Sequence, residues 1–192
     1  MNPFGIILSG GKSSRMGTDK SLLPLGNKLV IEHIATKMKG ITSQQAIITN
    51  TPEKYAFLNM EKYSDRHPGK GPLAGLESAL YHIDAPVFVC AACDMPYISA
   101  EVYNRLLHEL GHYDAVVPVY NKRIHPLSGI YTRGILPLIQ QQLERDQLKV
   151  KDVFRFINVY YADNFTGIAK DTLKKHFFNM NHPGQYEEAK QF

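Results

Sequence analysis

Residues 4–20 read FGIILSGGKSSRMGTDK. An apolar run, Phe4 to Leu8, meets adjacent glycines at Gly10 and Gly11 and then a polar segment carrying Lys12, Arg15 and Lys20. A P-loop requires G-x-x-x-x-G-K-[ST], which with Gly11-Lys12-Ser13 as its close needs a glycine at position 6; that residue is Ile6. The dinucleotide fingerprint G-x-G-x-x-G also fails, since no three glycines here have that spacing. What remains is a strand followed by a glycine turn. Adjacent glycines admit positive φ and close backbone approach, so successive N–H groups can face phosphate oxygens. Arg15 offers a planar fork of donors and Lys20 a compact charge. A tight strand-to-helix turn with solvated charges is the plainer reading of a double glycine, and on the residues alone both stand.

Outward from this stretch, apolar runs bounded by turn residues recur at 44–49 (QQAIIT), 85–91 (APVFVCA), 114–119 (DAVVPV) and, more weakly, 157–162 (INVYYA). Segments with helical spacing lie between them, at Leu29 to Lys39, Leu73 to His82, Ala100 to Leu110 and Gly134 to Glu144. Alternating strands and helices predict an α/β fold with a mainly parallel sheet covered by helices on both faces. In such sheets ligands settle at the carboxyl ends of the strands, which directs attention to the loops there. A last helix is expected after Pro183, with Glu187 and Glu188 in its first turns.

The chain has 192 residues, which favours one domain over residues 1–192. Its 44% hydrophobic and 21% charged content excludes disorder. No run nears the ~18 apolar residues of a membrane span, and Met1 to Phe4 lacks a signal-peptide pattern, so a cytoplasmic protein without membrane contact is expected. The net charge of +4 is scattered, which leaves room for a local anion site but demands no nucleic-acid partner. Cys90 and Cys93 form the single C-x-x-C; with no second pair, and in a buried strand running into a loop, they read as small core thiols.

Three further segments matter. Gly71-Pro72-Leu73-Ala74-Gly75 reads alone as a helix-opening loop. In Ala92-Cys93-Asp94-Met95-Pro96, a carboxylate at the end of a buried strand can reach a hard cation, although a lone turn Asp is more often a cap. Near the carboxyl terminus stands Asn179-Met180-Asn181-His182-Pro183.

LSGGKSSRMGTDK resembles the signature L-A-G-G-x-S-x-R-M-G-x-D-K of nucleotidyltransferases related to molybdenum cofactor guanylyltransferase, departing at Ser9, where alanine is usual. GPLAGL at 71–76, CDMP at 93–96, His125-Pro126-Leu127 with Tyr131, and the 179–183 segment resemble its later motifs in the same order, with His182 in place of a threonine. The resemblance implies a three-layer α/β/α, Rossmann-like nucleotidyltransferase domain. It also implies transfer of GMP from GTP to Mo-molybdopterin with release of pyrophosphate. By the same resemblance Leu8, Ser9, Gly10, Gly11, Arg15 and Lys20 hold the nucleotide, Asp65 reads guanine, Asp94 ligates Mg²⁺, and Asn179 and Asn181 shape the acceptor pocket. Lys20, Arg15 and Asp94 are the expected catalytic residues, while His125 stays open between a structural and a catalytic role. GTP and Mo-molybdopterin are the expected partners, with transient contact to proteins that supply the cofactor or receive it. Transfer from CTP, a sugar-phosphate acceptor, and a nucleotide-binding module without turnover are the competing readings; Lys20 and Asp94 weigh against the last.

Overall fold

The computed structural model describes residues 2–9 and 19–192. The chain runs through β1 (Phe4–Ser9), β2 (Pro24–Leu25), β3 (Lys28–Leu29), α1 (Val30–Met38), β4 (Gln44–Thr49), β5 (Glu61–Tyr63), α2 (Pro72–His82), β6 (Val87–Ala92) and α3 (Ala100–His108). It continues with β7 (Ala115–Tyr120), β8 (Arg123–Ile124), β9 (Ile130–Thr132), α4 (Leu136–Glu144), α5 (Val150–Val153), β10 (Val159–Ala162), α6 (Lys170–His176) and α7 (Pro183–Ala189). Each strand and helix expected from the apolar runs is present, with ends displaced by at most about two residues, the normal uncertainty of such boundaries.

The main sheet has the order β10-β7-β9-β6-β1-β4-β5, with β8 paired to β7, while β2 and β3 form a separate two-stranded ribbon. β1 pairs in parallel with β4 and β6, β4 with β5, and β10 with β7. β9 runs antiparallel to both β6 and β7 and separates them. Alternation along the strands feeds two cores. Ile7, Ile47 and Val89 join the layer that holds Ile31 and Ile34 of α1 and Val102 and Leu106 of α3. Ile6, Leu8 and Ile48 join Leu73, Leu76 and Leu80 of α2 and Ile139 and Leu143 of α4. This is the three-layer α/β/α sandwich that strand–helix alternation predicts, and burial on both faces is why β1 reads as an apolar run without polar alternation up to Leu8. Gly5 interrupts it because a Cβ there would lie 2.6 Å from Met38 Cγ and from Thr42 Oγ1, where α1 ends against the strand.

One polar chain crosses the core. His176 is fully buried, and its Nδ1 accepts the Ser99 N–H at 2.9 Å. The neutral ring therefore carries its proton on Nε2, which faces Ser128 Oγ at 2.7 Å. Ser128 Oγ in turn donates to Tyr103 Oη at 3.4 Å, and Tyr103 donates to the Cys90 carbonyl at 2.7 Å. Each donor has one acceptor, so α6, α3 and β6 are joined without an orphaned proton. Burial, with His125 nearby, lowers the His176 pKa from 6.5 to about 3. Between those values the unfolded chain binds a proton that the folded chain refuses, so stability falls as pH drops below about 6.5, by up to ~1.4 kcal/mol per pH unit. Thermal melts at pH 7.5 and pH 5 are expected to show that fall in the wild type and a shallower one in His176→Gln. Equal slopes would assign the acid sensitivity to other groups.

Candidate active site

Three loops open at one end of the sheet. The parallel register sets Leu8 beside Ala92 and Ser9 beside Thr49, so β6, β1 and β4 end together. Cys93 N–H still donates to the Leu8 carbonyl at 3.1 Å, and the chain then turns, with Met95 N–H on the Ala92 carbonyl at 3.2 Å. Asp94 sits in that turn, and its Oδ1 is buried with no hydrogen-bond partner among the described residues. Burial raises its carboxyl above the usual range, an effect that the Lys20 ammonium partly opposes. A buried carboxylate oxygen without a donor is a natural ligand for a hard cation, which would remove the desolvation penalty. Among the described residues no group of three His, Cys, Asp or Glu side chains forms a metal cage. Mg²⁺ held by one carboxylate, phosphate oxygens and water would need no such cage.

Lys20 reaches across the site to donate from Nζ to the Asn181 carbonyl at 3.0 Å. The same segment is tied to the Asp94 turn, since Met180 N–H donates to the Asp94 carbonyl at 2.9 Å. Asn179 presents a buried Oδ1 with no partner among the described residues. α7 starts at Pro183 itself, one residue earlier than a helix following the proline, as suits a residue lacking N–H in the first turn. His182 makes no side-chain cap; instead Gln185 Oε1 accepts the N–H groups of Asn181 at 2.7 Å and His182 at 3.1 Å. The glutamine supplies the reciprocal half of a capping box, serving the N–H groups that precede the helix.

Beside Leu8 lies a narrow recess that Thr49, Asn50, Asp65, Gly71 and Gly75 also line. Gly71, at φ 77°, turns the chain into α2, with Pro72 in the first turn. Asp65 Oδ1 accepts the His67 N–H at 2.8 Å, and Asp65 N–H donates to Asn50 Oδ1 at 3.2 Å. The neighbouring charges are partly exposed, yet each has a partner in the fold. Arg66 pairs with the fully buried Glu77 and lies over the Tyr81 ring, and Lys70 donates to the Leu143 carbonyl at 3.1 Å. Gln140 Nε2 supplies Glu77 with a second donor at 2.9 Å. The buried Glu77 carboxylate thus has charge-assisted partners from the loop and from α4, which ties the loop to the helices beneath it.

The structure therefore brings Leu8, Ser9, Lys20, Asp94 and Asn181 to one sheet end and places Asp65 in the adjoining recess. Gly10, Gly11 and Arg15 lie outside the described residues. Cys90 and Cys93 are free thiols, both pushed up by burial, in keeping with inert core cysteines. His125 is held neutral, burial lowering its pKa, and its ring packs on Phe177 with 4.6 Å between centroids. Its Nε2 has no partner among the described residues. Sequence reasoning missed Tyr55. This fully buried residue has its hydroxyl 2.6 Å from Ser9 Oγ, and no motif or periodicity marks it.

Residues 5–160 match the model of the MobA-like NTP transferase domain. The chain is 40% identical over 183 residues to a probable molybdenum cofactor guanylyltransferase of Carboxydothermus hydrogenoformans, covering 95% of this chain and 92% of that one. It is 34% identical over 186 residues to a protein of the same description from Clostridium perfringens strain 13, covering 95% and 93%. Among solved structures it is similar to molybdopterin-guanine dinucleotide biosynthesis protein A of Archaeoglobus fulgidus, with a TM-score of 0.85, 25% identity, and 98% and 97% of the chains covered. A nucleotidyl transferase of Methanothermobacter, at 16% identity and a TM-score of 0.72, shares the fold, covering 99% of this chain and 96% of that one.

Proposed function

The chain belongs to the MobA-like NTP transferase domain family, and from that premise we propose how its residues carry the reaction for which its relatives are named. It is a nucleotidyltransferase that moves GMP from GTP to Mo-molybdopterin and releases pyrophosphate. A phosphate oxygen of the acceptor attacks the α-phosphorus of GTP. The attacker is already anionic, so no strong base is required. The site must hold two repelling anions in line and stabilise charge on the group in transit.

Convergence of Lys20, Asp94 and Asn181 on one sheet end carries this reading, since Lys20 and Asn181 meet across 161 positions of sequence. Lys20 directs its ammonium to the acceptor segment, where it offsets phosphate charge. Asp94 holds Mg²⁺, which when bound supplies a Lewis acid for the triphosphate oxygens. Asn179 and Asn181 shape the pterin pocket, the buried and unpartnered Asn179 Oδ1 being an acceptor available to the substrate. Leu8, Ser9, Gly10, Gly11 and Arg15 serve the nucleotide. The whole of residues 1–192 acts as one domain in the cytoplasm; among the described residues no helix is long and apolar enough to cross a membrane.

Asp65 reads the base. Guanine presents N1–H and the N2 amino group side by side, and a carboxylate is an acceptor pair of matching width. The Asp65 backbone is pinned by Asn50 and one of its oxygens is engaged by the His67 N–H, so the loop brings an oriented carboxylate to the recess. Charge-assisted bonds of this kind contribute ~1.5–3 kcal/mol, or about tenfold to a hundredfold in discrimination. Transfer from labelled GTP, ITP and CTP to molybdopterin, with the product identified, tests the reading. The wild type should favour GTP over ITP, which lacks the N2 amino group, and Asp65→Ala should largely lose that preference. Retention of full selectivity by the variant would place the base reader elsewhere. A wild type that prefers CTP would overturn GTP as the donor.

A further inference from the structure

Tyr55 closes the short turn Pro52–Tyr55 after β4. Its ring is completely buried, and its hydroxyl meets three oxygens from distant parts of the chain. Ser9 Oγ lies at 2.6 Å, Ser21 Oγ at 2.8 Å, and Tyr55 donates to Asp19 Oδ2 at 3.0 Å. Ser21 also serves Asp19, its hydroxyl donating to Oδ1 at 2.7 Å and its N–H to the same oxygen at 3.2 Å. A count of protons orders the group. Three hydroxyls supply three protons to four oxygen–oxygen contacts, and Asp19 accepts on both of its oxygens. Tyr55 and Ser21 direct theirs at Asp19, so Ser9 must direct its own at Tyr55. The Ser9 hydroxyl thus has a partner that holds it.

The placement matters because of what adjoins it. Ser9 ends β1, and Asp19 caps the turn Lys20–Leu22, so one tyrosine hydroxyl joins the chain on both sides of residues 10–18. The Lys20 ammonium reaches away from its neighbour Asp19 to the Asn181 carbonyl at 3.0 Å. Freed from the hydroxyls, the Asp19 carboxylate would be an opposite charge on the adjacent residue, able to draw Lys20 back.

We propose that Tyr55 is a positioning residue for nucleotidyl transfer, whose hydroxyl locks the Asp19 carboxylate and thereby keeps Lys20 extended across the site. This rests on the part given to Lys20 above. Burial raises the Tyr55 pKa to about 12, so the hydroxyl stays a donor throughout the working pH range. Networks of this kind act as a unit, and coupling rather than single deletions measures them.

The test compares Tyr55→Phe, Lys20→Ala and the double variant in steady-state transfer with GTP, Mg²⁺ and molybdopterin, alongside GTP calorimetry and melting curves. Tyr55→Phe keeps the ring and removes one oxygen. It is expected to lower kcat about tenfold or more while GTP affinity changes less than about threefold, and the double variant should be no slower than Lys20→Ala alone. A merely structural tyrosine would lower the melting temperature but leave kcat per folded molecule intact. That result, or a double variant slower by the full product of the two losses, overturns the proposal. If Tyr55→Phe fails to fold, Ser21→Ala decides, since it removes another hydroxyl from the same carboxylate: a kcat loss absent from the Lys20→Ala background supports the lock, and an unchanged kcat refutes it. A slow Lys20→Ala with a normal Tyr55→Phe overturns the lock alone. A fully active Lys20→Ala overturns both the part given to Lys20 and the lock built on it.

Discussion

Asp94→Ala is expected to abolish Mg²⁺-dependent GMP transfer, with kcat down by about 10³ or more, in a protein that remains folded. The reason lies in its setting. Oδ1 is buried without a partner among the described residues, and burial outweighs the pull of Lys20 in raising the carboxyl. Such a group costs stability until a cation meets it. Two measurements follow from that opposition. In the absence of Mg²⁺ the variant should melt at or above the wild-type temperature, because it no longer buries an unpaired carboxyl. With GTP present, adding Mg²⁺ should raise the wild-type melting temperature and leave that of the variant unmoved, since a ligand stabilises only what binds it. A variant turning over at near wild-type rate with saturating Mg²⁺ would remove Asp94 from the metal site.

Lys20→Ala is expected to lower kcat by about 10², the scale of removing one contact made in the transition state. The loss should extend to the acceptor. Lys20 Nζ donates to the Asn181 carbonyl at 3.0 Å, and Asn181 belongs to the segment whose Met180 N–H holds the Asp94 turn. The KM for molybdopterin should therefore rise by severalfold along with the fall in kcat, while GTP affinity weakens less. Steady-state kinetics with each substrate varied separates these effects. A change in KM alone would reduce Lys20 to uniform binding.

Much of this architecture was legible in the order of residues, for reasons of local geometry. The run at 85–91 announced a strand because apolar side chains buried on both faces leave no polar position in it, and the run at 44–49 did so through Ala46, Ile47 and Ile48, whose side chains feed both cores. The glycines at 10 and 11 fit neither familiar phosphate loop and left a plain turn and an anion-holding turn both open, and it was the resemblance of the motifs, in order, that carried the family. Asp94 could be singled out because it follows a buried strand and precedes a proline turn, whereas Asp65 was marked by the family resemblance alone. Strand β9 could not be found. At three residues it has too short a pattern to register, and it became a strand only because β6 and β7 flank it and take up its hydrogen bonds.

Hydrophobic patterning by itself determined the fold class, and the resemblance of the motifs to those of known nucleotidyltransferases supplied the family and most of the residues worth examining. They did so because hydrophobic period and turn chemistry act over a few neighbouring positions. Tertiary structure alone decided which of those residues meet. Lys20 touches Asn181, Met180 pins Asp94, Arg66 and Gln140 satisfy the buried Glu77, and Tyr55 gathers Ser9, Asp19 and Ser21. None of these pairs has a sequence signature, because a hydrogen bond depends on separation in space, and the sheet brings together strand ends that lie far apart along the chain.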